Sequence, residues 1–181
     1  MKRAQAVFLD RDGVINAAVV INGKPYPPKT ISSLKILDGV EQALANLRCA
    51  GWLLIVVTNQ PDVARGTAEK KDIEDINAYL STRLPIDQFL TCYHDTVDRC
   101  MCRKPSPGML YSASEEHKID LCKSYMVGDR WRDIEAGKRA GCNTIFIDYG
   151  YKEIQPLIYD YKVSSLLIAS QIILGENNEK Y

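Results

Sequence analysis

The sequence predicts an α/β fold: a parallel sheet with helices on both faces. Short apolar, β-branched runs recur at Ala4–Leu9, Leu53–Val57, Ser124–Val127 and Asn143–Ile147. Segments with helical spacing of apolar residues separate them. Acidic or polar residues stand directly after several runs, as at Asp10 and Thr58, or one glycine further on, as at Asp129. Strands buried on both faces read as near-continuous apolar runs, and their alternation with helices marks a parallel sheet.

In chain order, Ala4–Leu9 (AQAVFL) ends in Asp-Arg-Asp-Gly, a buried strand followed by a turn. Val19–Tyr26 carries Asn22-Gly23, a hairpin signal between two short extended pieces. Val40, Leu44 and Leu47 recur at helical spacing, and Gly51 follows where that helix would stop. Leu53–Val57 is the second buried strand. Ala68–Leu84 reads as an amphipathic helix with Ile73, Ile76, Asn77 and Leu80 near one face. Gln88–Tyr93 is the third strand. A helix over Met109–Glu116 follows Pro107-Gly108. Ser124–Val127 is a strand ending at Gly128-Asp129, Ile134–Ala140 a helix closed by Gly141, and Asn143–Ile147 a strand. Tyr161–Val163 adds a sixth strand before a last helix over Ser164–Leu174.

The 181 residues fit one domain, expected over residues 1–175, with 176–181 as a frayed tail. Lys plus Arg and Asp plus Glu number 23 each, so no net charge argues for a nucleic-acid binder. The apolar stretch after Lys2 and Arg3 breaks at Asp10, too short for a signal-peptide core. Trp52–Val57 and Leu166–Leu174 fall short of the ~20 residues that span a bilayer. The expectation is a cytoplasmic monomer acting on a small molecule, with neither nucleic acid nor membrane as partner. Six cysteines in a reducing compartment read as thiols or metal ligands. Cys49, Cys122 and Cys142 sit beside apolar or glycine positions and read as core thiols. His117, in EEHK, reads as a solvated helix end, and Trp131 as a packing residue at a helix start.

Ligands of open α/β sheets bind at the carboxyl ends of the strands, where the reactive side chains of this chain fall. Asp10 and Asp12 follow the first strand, Thr58 and Asn59 the second, and Asp129 the fourth, while Lys104 lies in a loop before a helix. Alone, each Asp reads as a turn or cap residue, Thr58-Asn59 as turn chemistry, and Lys104 as a solvated charge. Together, in this order, they suit phosphoryl transfer. A carboxylate nucleophile splits a hard hydrolysis into two steps. Carboxylates suit Mg2+, and a Lys and a hydroxyl stabilise charge on phosphoryl oxygens. Asp12 is close enough to Asp10 to serve as acid for the leaving oxygen and then as base for water.

Cys92, His94, Cys100 and Cys102 form C-x-H-x5-C-x-C. Three thiolates and an imidazole make a closed set, so Zn2+ here would be structural rather than catalytic. The alternative is a loop of free thiols or one disulfide, but a Cys100–Cys102 bridge would be strained. Cys102 adjoins Arg103 and Lys104, so a zinc loop over 92–102 would orient both cations.

VFLDRDGVIN (7–16), VVTNQ (56–60), CRKPSPGM (102–109) and MVGDRWRDIEAG (126–137) resemble the four motifs of the haloacid dehalogenase superfamily. Within it they are similar to the branch of histidinol-phosphate and heptose-bisphosphate phosphatases. The resemblance covers about residues 6 to 150 and implies a Rossmann-like sheet. It implies Asp10 as nucleophile and Asp12 as general acid/base. It implies Thr58 and Lys104 on the phosphoryl group, and Asp10, the Asp12 carbonyl and Asp129 around Mg2+. Asn59, Arg103 and Arg130 match positions that contact substrate in that branch, and Asp133 is expected to orient the metal site or cap the helix; for the second phosphate of a bisphosphate, Arg103 and Arg130 are the best placed cations and Arg65 a weaker one. Dehalogenases of the superfamily lack the second Asp. The branch shares the zinc spacing.

In this superfamily the segment after the nucleophile, 17–29 here, forms a flap. The motif spacings leave no room for a large cap, so the flap and zinc loop are expected as the only walls. The resemblance favours D-glycero-D-manno-heptose 1,7-bisphosphate as substrate, losing its 7-phosphate. Histidinol phosphate is the alternative, and a non-catalytic zinc-stabilised binding module the reading from another class. Pro61-Asp62, and the missing proline after Cys92, depart from the branch at walls of the site.

Overall fold

The computed structural model describes residues 3–175, so the expected tail at 176–181 lies outside the described residues. In chain order the elements are β1 (Ala6–Leu9), β2 (Val19–Ile21), β3 (Lys24–Tyr26), α1 (Val40–Cys49), β4 (Leu53–Asn59), α2 (Lys70–Arg83) and β5 (Gln88–Cys92). Then come α3 (Gly108–His117), β6 (Tyr125–Gly128), α4 (Trp131–Ala140), β7 (Asn143–Ile147), β8 (Tyr161–Val163) and α5 (Leu166–Leu174). Single 3-10 turns at Ile31–Ser33, Thr96–Asp98 and Leu121–Lys123 were not legible from periodicity.

Six strands form one sheet in the order β5-β4-β1-β6-β7-β8, and β2-β3 is a separate antiparallel hairpin. Every pairing in the large sheet is parallel. The chain moves outward from β1 to β4 and β5, then crosses back to place β6 on the other side of β1. That reversal opens a crevice at the carboxyl end of β1. Leu9 lies level with Val56 of β4 and Val127 of β6, so β1 and β6 end almost together while β4 runs three residues further, to Asn59.

Alternate residues of β1 feed two cores. Val7 and Leu9 pack with Leu44, Leu47, Ile76, Leu80 and Leu166, which brings α1, α2 and α5 to one face. Ala6 and Phe8 pack with Leu110, Ala113, Met126 and Ala140, which brings α3 and α4 to the other. Leu9, Leu44, Ile55 and Leu110 are fully buried, so trimming any of them to Ala costs about 2–5 kcal/mol.

Some local expectations change. The helix expected from Ile134 starts at Trp131, because the Asp133 carboxylate accepts the backbone N–H of Arg130 (3.0 Å) and closes the first turn. Cys142 is buried, but Cys49 and Cys122 are exposed rather than core thiols. Cys49 ends α1 and Cys122 lies in a 3-10 turn, where neighbouring apolar residues do not decide which way the side chain faces. His117 is half-buried against Gln88 (2.9 Å) rather than fully solvated. Among the described residues no helix is long and apolar enough to cross a membrane.

Candidate active site

The carboxyl ends of β1, β4 and β6 bring together residues distant in sequence. Asp10 leaves β1, Thr58 and Asn59 end β4, and Asp129 follows β6. Lys104 reaches them from the loop before α3. Its backbone N–H donates to Asn59 Oδ1 (3.0 Å), and Asn59 Nδ2 donates back to the Lys104 carbonyl (3.0 Å). This reciprocal amide latch fixes the loop to the end of β4.

Lys104 is 1% exposed and spends all three ammonium protons. Its Nζ stands 2.6 Å from Asp10 Oδ1, 2.6 Å from Asp133 Oδ1 and 2.7 Å from the Val57 carbonyl. Burial opposes that charge, but the Asp10 and Asp133 carboxylates outweigh it and hold the ammonium above its usual pKa. For Asp10 the balance goes the other way. Burial pushes its carboxyl up to about 7 against the pull of Lys104, and the nearby Asp133 and Asp12 charges add to the rise. Asp129 is also raised well above the carboxylate range, by burial first and then by Asp10 and Asp133.

Neither oxygen of Asp129 accepts a hydrogen bond of good geometry, although both are buried. Oxygens of Asp10, Asp129 and Asp133 lie within 4.8 Å of one another. With all three ionised, these carboxylates would exceed the one ammonium by two negative charges, and the raised Asp10 and Asp129 carboxyls show what that excess costs without a cation. A divalent cation with oxygen ligands fits that excess. Both oxygens of Asp133 are already committed, to Lys104 and to the Arg130 N–H, so Asp133 orients while Asp10 and Asp129 offer oxygens. Two glycines permit the approach. A Cβ on Gly13 would lie 2.0 Å from Asp129 Oδ2, and its φ of +101° disfavours a side chain in any case. A Cβ on Gly128 would lie 2.1 Å from that of Asp133.

Asp12 is held apart from the Lys104 cluster. Its carboxylate accepts from Arg11 (3.2 and 3.1 Å), Asn16 (2.9 Å) and Gln60 (2.7 Å). Gln60 also donates to Thr58 Oγ1 (3.0 Å), tying the end of β4 to the turn after β1.

Cys92, His94, Cys100 and Cys102 meet at the end of β5. The Cys92–Cys100 and Cys100–Cys102 sulfurs are 3.7 and 3.4 Å apart, and His94 Nδ1 lies 3.3 Å from Cys102 and 3.6 Å from Cys92. These approach the edges of about 3.6–3.8 Å that Zn–S and Zn–N bonds of ~2.3 and ~2.0 Å require of a tetrahedron. The sulfurs are too far apart for a disulfide, and all six cysteines are free. The loop aims Arg103: its Nη1 donates to the His94 carbonyl (3.1 Å), and Asp95 stands 3.7 Å from Nη2. Arg103 Nε is buried without an acceptor.

A cleft of about 60 Å³ lies over Asp10, bordered by Thr58, Asn59, Tyr26, Arg130 and Arg132. The β2-β3 flap supplies Pro25, Tyr26 and Pro27. The flap and zinc loop are not the only walls, because Arg130 and Arg132 at the start of α4 border the cleft as well. Glu153, in the segment after β7, holds the Arg130 guanidinium by two contacts, one of them 2.7 Å. Arg65 is likewise engaged with Asp95 (2.7 and 2.8 Å). Arg132, overlooked in the sequence, lies 4.8 Å above the Trp131 ring. Arg132 has no ion pair among the described residues, and burial together with Arg103 and Arg130 lowers its pKa. The WRD run after Asp129 was the available signal. Nothing in periodicity marks Glu153, which lies in an irregular segment.

The chain and its fold match known proteins. The HAD-hydrolase-like family model matches residues 101–165. The chain is 35% identical to the D-glycero-D-manno-heptose-1,7-bisphosphate 7-phosphatase of Chlorobaculum tepidum, over 84% of this chain and 83% of that protein. It is 36% identical to the corresponding D-glycero-beta-D-manno-heptose enzyme of Escherichia coli K12, over 86% and 84%. The chain belongs to the heptose-bisphosphate phosphatases of the haloacid dehalogenase-like hydrolases. A crystal structure of the D,D-heptose 1,7-bisphosphate phosphatase of B. bronchiseptica, complexed with magnesium and phosphate, aligns with a TM-score of 0.77 at 28% identity. The alignment covers 96% of this chain and 99% of that one. These relatives are named as phosphatases, and this chain is a phosphatase built on a six-stranded parallel sheet of the haloacid dehalogenase-like fold.

Proposed function

We propose that this chain removes the 7-phosphate of D-glycero-D-manno-heptose 1,7-bisphosphate through an aspartyl-phosphate on Asp10. The observation that carries the reading is the Lys104 ammonium held between Asp10 and Asp133 beside Asp129, whose buried oxygens accept no hydrogen bond of good geometry. A merely structural polar cluster would satisfy its own charges, whereas this one has more carboxylates than cations, an excess that a divalent cation would satisfy.

Lys104 engages Asp10 Oδ1, which leaves the second oxygen for attack on phosphorus. As the Asp10–P bond forms, the bond from phosphorus to the leaving oxygen breaks, and Asp12 gives that oxygen its proton. Water then attacks the aspartyl-phosphate and surrenders its proton to Asp12. Phosphate departs and Asp10 is regenerated. The Thr58 hydroxyl and the second Nδ2 proton of Asn59 offer donors to the phosphoryl oxygens, and the Lys104 ammonium, its protons already placed, supplies positive charge beside them. Mg2+, held by Asp10, the Asp12 carbonyl and Asp129, would neutralise charge on those oxygens.

The distal phosphate needs a cation outside the narrow cleft. Arg103 has an unused Nε and Arg132 an unpaired guanidinium, and both support a bisphosphate. Arg130, already neutralised by Glu153, contributes in this reading by holding the wall. Zn2+ on Cys92, His94, Cys100 and Cys102 would keep Arg103 in place, since His94 both offers a ligand and accepts from Arg103. The proposal treats residues 1–175 as one unit, with a flap at 17–29 and a zinc loop at 92–102. It takes the protein as a monomer in the cytoplasm, where thiolate ligands stay reduced.

The test is phosphate release from a panel of phosphorylated metabolites with Mg2+, including the heptose bisphosphate and histidinol phosphate. Release from the bisphosphate no faster than with an Asp10→Asn protein overturns the proposal.

A further inference from the structure

Asn77 is a polar residue on the apolar face of α2, beside Ile73, Ile76 and Leu80, and only 8% of it is exposed. Both ends of its amide are engaged. Nδ2 donates to Thr91 Oγ1 of β5 (3.1 Å), and Oδ1 accepts from Arg11 Nη1 (2.9 Å). Arg11 is itself completely buried, an environment that costs a guanidinium dearly unless its protons are spent. Its Nε and Nη2 both go to the Asp12 carboxylate. A continuous line of contacts thus runs from β5 through α2 to Asp12.

We propose that Asn77 and Arg11 are positioning residues that set the carboxyl group of Asp12 for proton transfer to the leaving oxygen. This rests on the reading of Asp12 as general acid/base. The geometry explains why two residues are needed. Arg11 lies on the same turn as Asp12, so its fork can grip the carboxylate only if the guanidinium plane is fixed from elsewhere. Asn77 fixes it from a helix packed on the sheet, at a residue that touches no atom of the cleft. Gln60 and Asn16 complete the grip with neutral donors that can turn away when a proton must sit on Asp12. Arg11 cannot turn, being enclosed and latched. Asn77 therefore acts on the orientation of the acid, not on binding.

The test uses leaving groups. Departure of an alkyl alkoxide needs a proton, whereas 4-nitrophenolate leaves without one. kcat/KM reports the steps through that departure. Asn77→Leu should lower kcat/KM for a sugar phosphate by ~10-fold or more, a fraction of the 10²–10⁴ that general acid–base catalysis supplies. For 4-nitrophenyl phosphate the loss should stay within ~3-fold, because that step asks little of the acid. The Mg2+ concentration for half-maximal rate should not move. Asn77→Asp, which keeps an acceptor for Arg11, should restore most of the alkyl rate. Thr91→Val, a milder change that frees Asn77 from β5, should show the same selectivity more weakly and serves if Asn77→Leu does not fold. Asp12→Asn is the reference and should show the largest selectivity. Equal losses on both esters, or no loss on either, overturn the positioning role while the acid role of Asp12 stands. If Asp12→Asn itself shows no leaving-group selectivity, the acid reading falls, and this inference with it.

Discussion

Asp10→Asn should destroy turnover and yet stabilise the metal-free protein above neutral pH. Burial lifts the Asp10 carboxyl from 3.8 to about 7 even with Lys104 beside it. A carboxyl raised in this way favours the folded state below its unfolded pKa, and the advantage disappears as pH rises through about 7. At ~1.4 kcal/mol per pKa unit, ionised Asp10 costs the metal-free protein roughly 4 kcal/mol at pH 8 or above. An amide occupies the same space without that charge, but it leaves Lys104 with Asp133 as its one carboxylate. The net gain expected is about 1–3 kcal/mol, or roughly 3–10 °C in Tm for a chain of this size. Thermal melts in EDTA should show the gap widest at pH 8 and clearly narrower at pH 5, where the folded parent holds the Asp10 proton although the unfolded chain, with its carboxyl near 3.8, does not. With Mg2+ the order should reverse, because the parent binds the cation better. Phosphate release is measured on the same samples. A variant melting below its parent in EDTA at pH 8 would refute the charge argument, and release within tenfold of the parent would remove Asp10 as nucleophile.

Three further outcomes follow from the geometry. Purified protein should carry about one zinc per chain, and Cys100→Ser should lose it along with stability and activity, since structural zinc binding is coupled to folding; full activity in zinc-free protein by elemental analysis excludes the site. Gly13→Ala should weaken Mg2+ activation, because its Cβ would fall 2.0 Å from Asp129 Oδ2; an unchanged Mg2+ titration shows that Asp129 is not a ligand. The heptose bisphosphate should have a higher kcat/KM than histidinol phosphate at matched Mg2+, and Arg103→Ala or Arg132→Ala should narrow the gap. A preference for histidinol phosphate removes the heptose assignment and leaves the phosphatase intact.

The sequence alone determined the elements that carry the chemistry. Apolar runs with an acidic or polar residue just after them placed Asp10, Thr58 and Asp129 at strand ends, and the cysteine spacing brought four soft ligands into one loop. These signals are local: a period, a turn, a count of intervening residues. What each charge meets across the fold was not local. Lys104 reads as a solvated cation, and only the latch to Asn59 and the parallel register of β1, β4 and β6 bury it between Asp10 and Asp133. Asn77 reads as one more position near an apolar helix face, until packing sets it against Arg11. Arg130 and Arg132 are alike in sequence, yet Glu153, more than twenty residues away, takes one and leaves the other. Charge pairing depends on distance in space and on exclusion of water, and a linear pattern specifies neither until the sheet has closed around the site.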